Sequence, residues 1–209
     1  MFLTVTEKKR ILREERLPAE PLILFKEWYD LAAGSCINLH EAMALSTVSG
    51  NGRPSCRLVL LKGFGKDGFV FFTNYNSRKA KEMENNKNVA LTFWWNTLGR
   101  QVRIEGTVEK ISEKESDEYF RTRPRGSQIG AWASEQSSEI TNREVLEKQV
   151  IFYEEKFKGK EVPRPPHWGG YRVMPSTVEF WQARLNRLHD RIKYTLLPDK
   201  SWKIERLAP

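Results

Sequence analysis

The stretch that decides the fold is residues 42–62, AMALSTVSGNGRPSCRLVLLK. Residues 42–49 and 55–62 have the composition of two β-strands, and SGNG at residues 49–52 is a strong turn signal between them. Strands joined by so short a turn pair antiparallel. The stretch therefore predicts a β-hairpin, from which the rest of the chain can be interpreted.

Similar turn signals separate further predicted strands along the rest of the chain. Further strands are predicted at residues 69–74, 89–95, 101–110, 171–174, 177–182, 191–197 and 202–207, with turns at 63–68 and 96–99. Helices are predicted at residues 21–34, 78–86, 112–122, 127–133 and 142–158. This order predicts a mainly β protein with α additions, an antiparallel barrel carrying peripheral helices. Residues 1–19 are charged and aperiodic, so we expect a mobile N-terminal arm before a single domain at 20–209.

The charge balance favours an anionic partner. The 209 residues contain 35 Lys and Arg against 27 Asp and Glu, a formal net charge of +8. Nucleic acid, acidic lipid and small phosphorylated ligands all remain open on this ground. Cys36 and Cys56 have neither metal-ligand nor disulfide-framework spacing, and no apolar run is long enough to span a membrane. Without a secretory signal, we expect a cytoplasmic protein with no metal and no membrane contact.

The strand at residues 57–62 has a basic residue at each end. Alternation sends Arg57 to one face and Lys62 to the other, so they address different sites or one extended site around an edge. A buried strand with charged ends is the alternative. Arg78 and Lys79 lie in the first turn of the next helix, where backbone N–H groups favour an anion. A pair of solvated charges is the competing interpretation.

Two more basic clusters follow. Residues 119–128, YFRTRPRGSQ, place three arginines between the hydroxyls of Tyr119 and Ser127, which suits phosphate unless the cations only complement a helix C-terminus. Residues 181–191, WQARLNRLHDR, combine an indole, three arginines, His189 and Asp190. His189 is suited to hydrogen bonding or proton transfer, although a lone histidine is more often structural.

Other chemistries have no motif here. The sequence contains neither the Gly-rich dinucleotide motif nor the P-loop motif, and no His/Cys metal cluster. Four separated basic clusters, each beside a turn or a strand end, fit two phosphorylated small ligands better than one polyanion track. A nucleic-acid module would need one basic stripe, and the helix at residues 142–158 is mixed in sign.

Several segments resemble the pyridoxine/pyridoxamine 5′-phosphate oxidase family, the pyridoxal 5′-phosphate synthases. The resemblance covers roughly residues 17–209 in the family's order. The segments are RLVLLK at 57–62, NSRK at 76–79, RQVR at 100–103, SQIGAW at 127–132, EQSS at 135–138, WGGY at 168–171, NRLHDR at 186–191 and RLAP at 206–209.

The resemblance implies an FMN-binding split β-barrel that works as a homodimer with FMN at the interface. It implies these FMN-binding residues: Arg57, Leu58, Val59, Leu60, Leu61, Lys62, Phe72, Thr73, Arg78, Lys79, Gln101, Gln136, Ser137, Trp181 and Arg191. It implies these substrate-binding residues: Lys62, Tyr119, Arg123, Ser127, Arg187, Leu188 and His189. Arg187 and His189 are the implied catalytic pair, flanking the pyridine ring.

The implied reaction is oxidation of pyridoxine or pyridoxamine 5′-phosphate by O₂ to pyridoxal 5′-phosphate in vitamin B6 salvage. It releases hydrogen peroxide, and ammonia from the amine. Another split-barrel flavin reductase or FMN carrier is the alternative, which would not need the substrate-phosphate residues.

The chain departs from the family pattern at two places. The Arg-x-x-Tyr element of the family's N-terminal arm is missing from residues 1–12, and Ala183 and Leu185 replace the usual glycine and a small or polar residue. These changes put lid residues, affinity and rate in question, but not the class of reaction.

Overall fold

The computed structural model describes residues 11–35 and 37–209, which form one nine-stranded antiparallel sheet with five α-helices. Strands β1 to β9 span Ala42–Val48, Pro54–Leu60, Gly63–Gly65, Gly68–Asn74, Asn88–Trp95, Arg100–Lys110, Trp168–Gln182, Asp190–Leu196 and Trp202–Arg206. Helices α1 to α5 span Pro21–Gly34, Arg78–Asn85, Glu113–Thr122, Arg125–Ala133 and Arg143–Lys156. The predicted fold class, mainly β with helical additions, is confirmed.

The opening hairpin is present as predicted. β1 and β2 pair antiparallel from Ala42↔Leu60 to Val48↔Pro54. The predicted return strand is two residues too long, because β2 ends at Leu60 and the Lys62 N–H instead donates to Val70 O at 2.8 Å. The predicted turn at residues 63–68 is wrong in part, since residues 63–65 form β3 and pair with β4.

Strand β7 divides the sheet. One edge pairs with β6 along its length, whereas the other edge pairs first with β4 and then with β8. Two separate strands were predicted where β7 is continuous. Pro175 lies at a register shift opposite Gly106, and prolines are tolerated in sheets at such irregularities. Gly106 allows the close approach, because a Cβ there would lie 2.0 Å from Met174 O.

Helix α1 fills the inside of the curled sheet. Pro21 opens it and Gly34 ends it, as the periodicity predicts. Phe25 is fully buried, with its ring centroid 4.9 Å from Phe69 and 5.2 Å from Phe93. Burying one such aromatic side chain stabilises the fold by roughly 1.5–3 kcal/mol. The helix therefore holds β4 against β5 from within.

Helices α3, α4 and α5 form a smaller core outside the sheet. A capping box between Ser112 and Glu115 begins α3, as predicted. Arg123 precedes Pro124 and is extended, with φ −72° and ψ 145°, because proline disfavours a helical conformation in the residue before it. The chain therefore breaks between α3 and α4. Phe120 and Ile129 flank this break and are buried beside Trp168 of β7. Their packing fixes the position of the break against β7.

The described part of the predicted N-terminal arm contacts the sheet. Leu12 is buried, Pro18 O accepts the Tyr194 hydroxyl at 3.0 Å, and Glu14 pairs with Arg206 of β9 at 2.5 Å. Residues 1–10 of the predicted arm lie outside the described residues. In the part of the chain that the structure describes, none of the helices has the length and apolar character needed to cross a membrane.

Candidate active site

A cleft of about 890 Å³ opens between β2, β4 and the break between α3 and α4. Three of the four basic clusters contribute to it, so Arg57 and Lys62 do border one extended site. These site residues expected from the family resemblance line the cleft: Arg57, Leu58, Val59, Leu60, Lys62, Phe72, Thr73, Lys79, Tyr119, Arg123, Ser127, Gln136 and Ser137.

Arg57 marks one end of the cleft. Its guanidinium donates to Leu45 O at 3.1 Å, to Thr47 Oγ1 at 2.6 Å and to Ser55 Oγ at 2.5 Å. The buried carboxylate of Glu82 lies 3.3 Å from Arg57 Nη2. The orientation of the guanidinium is therefore set by acceptors on three strand positions and one helix.

Lys79 of α2 lies at the same end and is buried. Its Nζ donates to Thr73 Oγ1 at 3.2 Å and to Gln136 Oε1 at 3.0 Å, both uncharged oxygens. Burial, together with the charge of Arg57, lowers the pKa of Lys79 to about 8. Ser77 occupies the predicted cap position of α2, but its side chain caps no N–H. The first backbone N–H groups of α2 therefore have no side-chain acceptor and lie near the cationic side chains of Arg57 and Lys79. This arrangement favours binding of a phosphate.

The other end of the cleft holds Tyr119, Arg123 and Ser127. Tyr119 and Arg123 are four residues apart across the end of α3, and Ser127 lies in the first turn of α4. Arg123 Nη1 is buried without a hydrogen-bond partner among the described residues. Burial lowers the pKa of Arg123, which reflects a guanidinium removed from water without a compensating anion.

An aromatic stack supports this end. Phe72 lies parallel to Tyr119 with ring centroids 3.9 Å apart, and parallel to Trp168 at 5.4 Å. The Arg123 guanidinium lies 4.5 Å from the centre of the Trp168 ring. The stack therefore fixes both the tyrosine hydroxyl and the arginine. Trp168 belongs to a segment that carries the family resemblance, yet no pattern in the sequence predicts this contact.

The fourth cluster lies outside this cleft. Gln101, Trp181 and Arg191 face one another across β6, β7 and β8 in one row. The His189 ring lies 4.4 Å from Trp181, and its Nδ1 accepts the backbone N–H of Arg184 at 3.1 Å. In the neutral ring the proton is therefore on Nε2, which is left as a donor.

Arg187 and Leu188 are exposed beside this row. Asn186 and Arg187 have φ values of 55° and 62°, in the left-handed region that non-glycine residues rarely adopt. Trp94, which extends the row opposite Gln101, is 54% exposed and was missed by the sequence interpretation. Residues 185–188 of this segment are exposed, and no residue of the segment lines the cleft of the same chain.

Besides Gln101, Trp181 and Arg191, two more residues expected at the FMN site lie outside the cleft. Leu61 is buried in the main core because it directly follows β2 and turns inward. Arg78 is exposed and binds Glu82 Oε1 through Nε at 2.8 Å, so it does not line the cleft in this chain. Asn74 and Ser134 line the cleft but were not predicted, since a neutral polar residue gives no signal in a search for charge clusters.

Ala183, where the family usually has glycine, is accommodated without strain. It is not among the residues with positive φ, and its N–H donates to Gly99 O at 2.8 Å. Leu185 is 87% exposed. No group of three or more metal-ligating side chains occurs within residues 11–35 and 37–209.

Two family models match the chain. One, described as pyridoxamine 5′-phosphate oxidase, matches residues 32–154. The other, described as the pyridoxine 5′-phosphate oxidase C-terminal dimerisation region, matches residues 168–209. The first contains the cleft clusters together with Gln101 and Trp94, and the second contains Trp181, Arg191 and the loop between them.

Curated relatives match over almost the whole length. A pyridoxine/pyridoxamine 5′-phosphate oxidase from Nostoc sp. is 53% identical, over 95% of this chain and 92% of that protein. One from Cupriavidus pinatubonensis is 52% identical, over 95% and 93%.

Solved structures agree. PhzG from Burkholderia lata, in complex with tetrahydrophenazine-1-carboxylic acid, superposes with a TM-score of 0.89 at 31% identity, covering 96% of this chain and 98% of that one. A pyridoxamine 5′-phosphate oxidase-related, FMN-binding protein from Nostoc punctiforme has a TM-score of 0.72 at 17% identity, covering 92% and 100%, which shows a shared fold. This chain belongs to the pyridoxamine 5′-phosphate oxidase family, a family of oxidoreductases.

Proposed function

We propose that this protein is an FMN-dependent oxidase that converts pyridoxine and pyridoxamine 5′-phosphate into pyridoxal 5′-phosphate. O₂ is the final electron acceptor, hydrogen peroxide is released, and the amine substrate also yields ammonia. The product places the reaction in vitamin B6 salvage.

One observation carries this proposal: a single cleft has a separate cationic group at each end. Arg57 and Lys79 lie at one end, and Arg123 lies at the other with a buried, unpaired Nη1. Arginine donors suit phosphate, and a buried donor without an acceptor is costly unless a ligand supplies one. Two phosphorylated ligands lying side by side satisfy both ends.

The donors at the Arg57 end fit FMN. Arg57, Lys79 and the uncapped start of α2 would hold its phosphate, with Thr73, Gln136 and Ser137 beside them. When bound, FMN supplies the hydride acceptor and the site at which O₂ is reduced. The chain's own part is to position the substrate and exclude water.

The substrate phosphate would be held by Lys62, Tyr119, Arg123 and Ser127. The stack of Phe72, Tyr119 and Trp168 keeps this end rigid, so that the pyridine ring enters in one orientation. Arg187 and His189 would flank that ring. His189 Nε2–H donates because Nδ1 is already occupied, and both side chains would stabilise charge that develops during oxidation.

A second copy of the chain would complete the site. Arg187, His189, Trp181 and Arg191 lie outside the cleft of their own chain, in the region matched by the dimerisation model. A homodimer with FMN at its interface brings the row of one protomer to the cleft of its partner. The outward orientation of Arg187 supports this arrangement.

PhzG is bound to a carboxylic acid that has no phosphate, so the main rival is an enzyme whose substrate lacks phosphate. An FMN carrier is the other. Neither needs Arg123, Lys62, Tyr119 and Ser127 together at the end of the cleft. The unpaired Arg123 Nη1 therefore favours a phosphate ester.

The test uses the purified holoprotein. Its absorbance spectrum is recorded, and pyridoxine 5′-phosphate is then added in air while aldehyde and peroxide are measured. We expect a flavin spectrum and equal amounts of both products, with unphosphorylated pyridoxine as the matched control substrate that reacts poorly. A bound flavin without turnover would identify a carrier, and equal turnover of both substrates would refute the role of the phosphate end.

A further inference from the structure

Glu82 of α2 is a buried carboxylate just behind the cleft wall. Its side chain is 6% exposed, and it does not line the cleft. Oε2 accepts hydrogen bonds from Thr47 Oγ1 at 2.5 Å and Ser55 Oγ at 2.6 Å. Oε1 accepts from Arg78 Nε at 2.8 Å, and Arg57 Nη2 lies 3.3 Å from Oε2. Four donors therefore converge on one carboxylate.

The hydroxyls of Thr47 and Ser55 connect Glu82 to Arg57. A hydroxyl has one proton, so Thr47 and Ser55, which donate to Glu82, keep only lone pairs for their other neighbours. Those lone pairs accept from Arg57 Nη1 at 2.6 Å and Nη2 at 2.5 Å. The carboxylate therefore sets the direction of both hydroxyl protons. The lone pairs of the hydroxyl oxygens then fix the orientation of the Arg57 guanidinium.

We infer that Glu82 is a positioning residue that holds the Arg57 guanidinium ready for the flavin phosphate without touching the ligand. The inference rests on the proposed function, since it requires FMN at the Arg57 end of the cleft. A negative charge behind an anion site opposes binding of the anion. Glu82 favours FMN binding at this position because the orientation that it gives Arg57 strengthens phosphate binding by more than its charge weakens it.

The charge state of Glu82 agrees with this role. Burial raises the pKa of the carboxyl, but the hydrogen bonds from Ser55, Thr47 and Arg78 outweigh burial and lower it to about 2. Glu82 is therefore an anion at every pH above about 4. It accepts all of its hydrogen bonds throughout the range in which the protein can be assayed.

Positioning and simple electrostatics predict opposite signs for Glu82→Gln. Removing one negative charge near the phosphate would tighten FMN binding if only Coulomb attraction mattered. The amide of glutamine, however, has a donor group where the carboxylate has an acceptor, so it cannot accept from all four neighbours. Arg57 then loses its fixed orientation, and FMN binds more weakly.

The experiment titrates the apoprotein with FMN and, separately, with riboflavin, following the quenching of flavin fluorescence. For Glu82→Gln we expect the Kd for FMN to rise about tenfold or more, as for loss of a charged hydrogen bond. The Kd for riboflavin, which lacks the phosphate, should stay within about twofold. Glu84→Gln is the matched control, since Glu84 lies on the same helix, is exposed and pairs with Lys110 at 3.2 Å. It removes the same charge and should leave both Kd values unchanged.

Four results separate the possibilities. Equal or tighter FMN binding by Glu82→Gln overturns the inference, and so does an equal loss for both flavins. Failure of the wild-type protein to bind FMN refutes the proposed function instead. In an Arg57→Ala background, the effect of Glu82→Gln should disappear, because both act through one group; full additivity also overturns the inference.

A milder variant guards against loss of folding. Ser55→Ala removes one of the two linking hydroxyls and leaves the carboxylate in place. We expect it to raise the Kd for FMN severalfold, less than Glu82→Gln, with riboflavin again unaffected. An unchanged Kd for FMN would show that the hydroxyl link does not orient Arg57.

Discussion

The cleft and the segment at residues 183–191 carry similar side chains but are built in opposite ways. In the cleft, Arg57 is enclosed by acceptors from its own chain, and Arg123 lies against Trp168. In the segment, Arg187 is exposed, and it and Asn186 have left-handed backbone conformations. The cleft holds its cations in place before any ligand arrives. In the segment, Arg184 and Arg191 are held by carboxylates, and of its arginines only Arg187 is exposed.

The difference shows how the two regions divide the work. Preformed donors bind phosphates well because little ordering remains to be done on binding. Strained, exposed residues are typical of groups that act on a substrate, because their conformation is kept for function at a cost in stability. Under the proposed function, the cleft is the binding half of the site, and the segment is the half that acts on the substrate from the partner protomer.

The largest expected effect comes from breaking the exposed half. Arg187→Ala should lower kcat by roughly 10²–10³, the usual loss for one preorganised donor that stabilises developing charge. The Kd for FMN should stay within about twofold. Steady-state kinetics and flavin titration measure the two effects, and an equal loss of both would contradict the division between the regions.

The next effect comes from the substrate end of the cleft. Arg123→Ala should raise KM for pyridoxine 5′-phosphate about 10- to 100-fold, because it removes charged hydrogen bonds to the phosphate. Turnover of unphosphorylated pyridoxine should be unchanged. Arg121→Ala, two residues away and exposed, is the control. A similar rise in KM with both variants would show that general charge, and not the unpaired guanidinium, binds the phosphate.

A pH titration sharpens the account of the flavin end. The pKa of Lys79 is lowered to about 8 in the free protein, by burial first and then by Arg57. A bound phosphate favours the charged amine, so FMN affinity should be full below pH 8 and fall above it by up to about tenfold per unit. Isothermal titration between about pH 7 and 9.5 measures this, in a range where the phosphate itself is already a dianion.

The control for this titration lies on the same helix. Lys79→Gln should flatten the pH profile, whereas Lys81→Gln, an exposed neighbour, should keep it. A profile that does not change in Lys79→Gln would assign the titration to another group.

The smallest effect concerns Ala183. Because its φ is not in the left-handed region, Ala183→Gly relieves no strain and only increases the freedom of the unfolded chain. We expect the free energy of unfolding to fall by about 0.4–1 kcal/mol and kcat to stay within about twofold. Thermal unfolding and steady-state assays test this. A more stable glycine variant would show that alanine strains the segment.

The sequence predicted helices and strands well where turn residues or caps coincide with the ends of a regular hydrophobic pattern. The hairpin at residues 42–62, helix α1 and the capping box of α3 were found because turn residues and caps act locally. Errors arose where tertiary contacts override local signals. Residues 63–65 form a strand only because β4 pairs with them, and β7 continues past Pro175 only because Gly106 lies opposite.

The sequence also predicted most of the cleft, through charged clusters and the family resemblance. The family resemblance placed Leu61 at the FMN site, and the structure shows its side chain buried in the main core. The sequence interpretation gave no role to Trp168, Trp94 or Glu82. The aromatic stack, the row of side chains across β5 to β8 and the hydrogen bonds of the buried carboxylate each join residues from distant parts of the sequence.

By itself, the sequence determined the mainly β fold class, the approximate positions of the helices and of most strands, and the family. Those properties depend on the spacing of residues along the chain. Only the tertiary structure decided that Arg57 and Arg123 share a cleft while Arg187 lies exposed outside it, and that Glu82 orients Arg57. These depend on the curl of the sheet and on side-chain burial, where distances between remote residues set hydrogen bonds and pKa values.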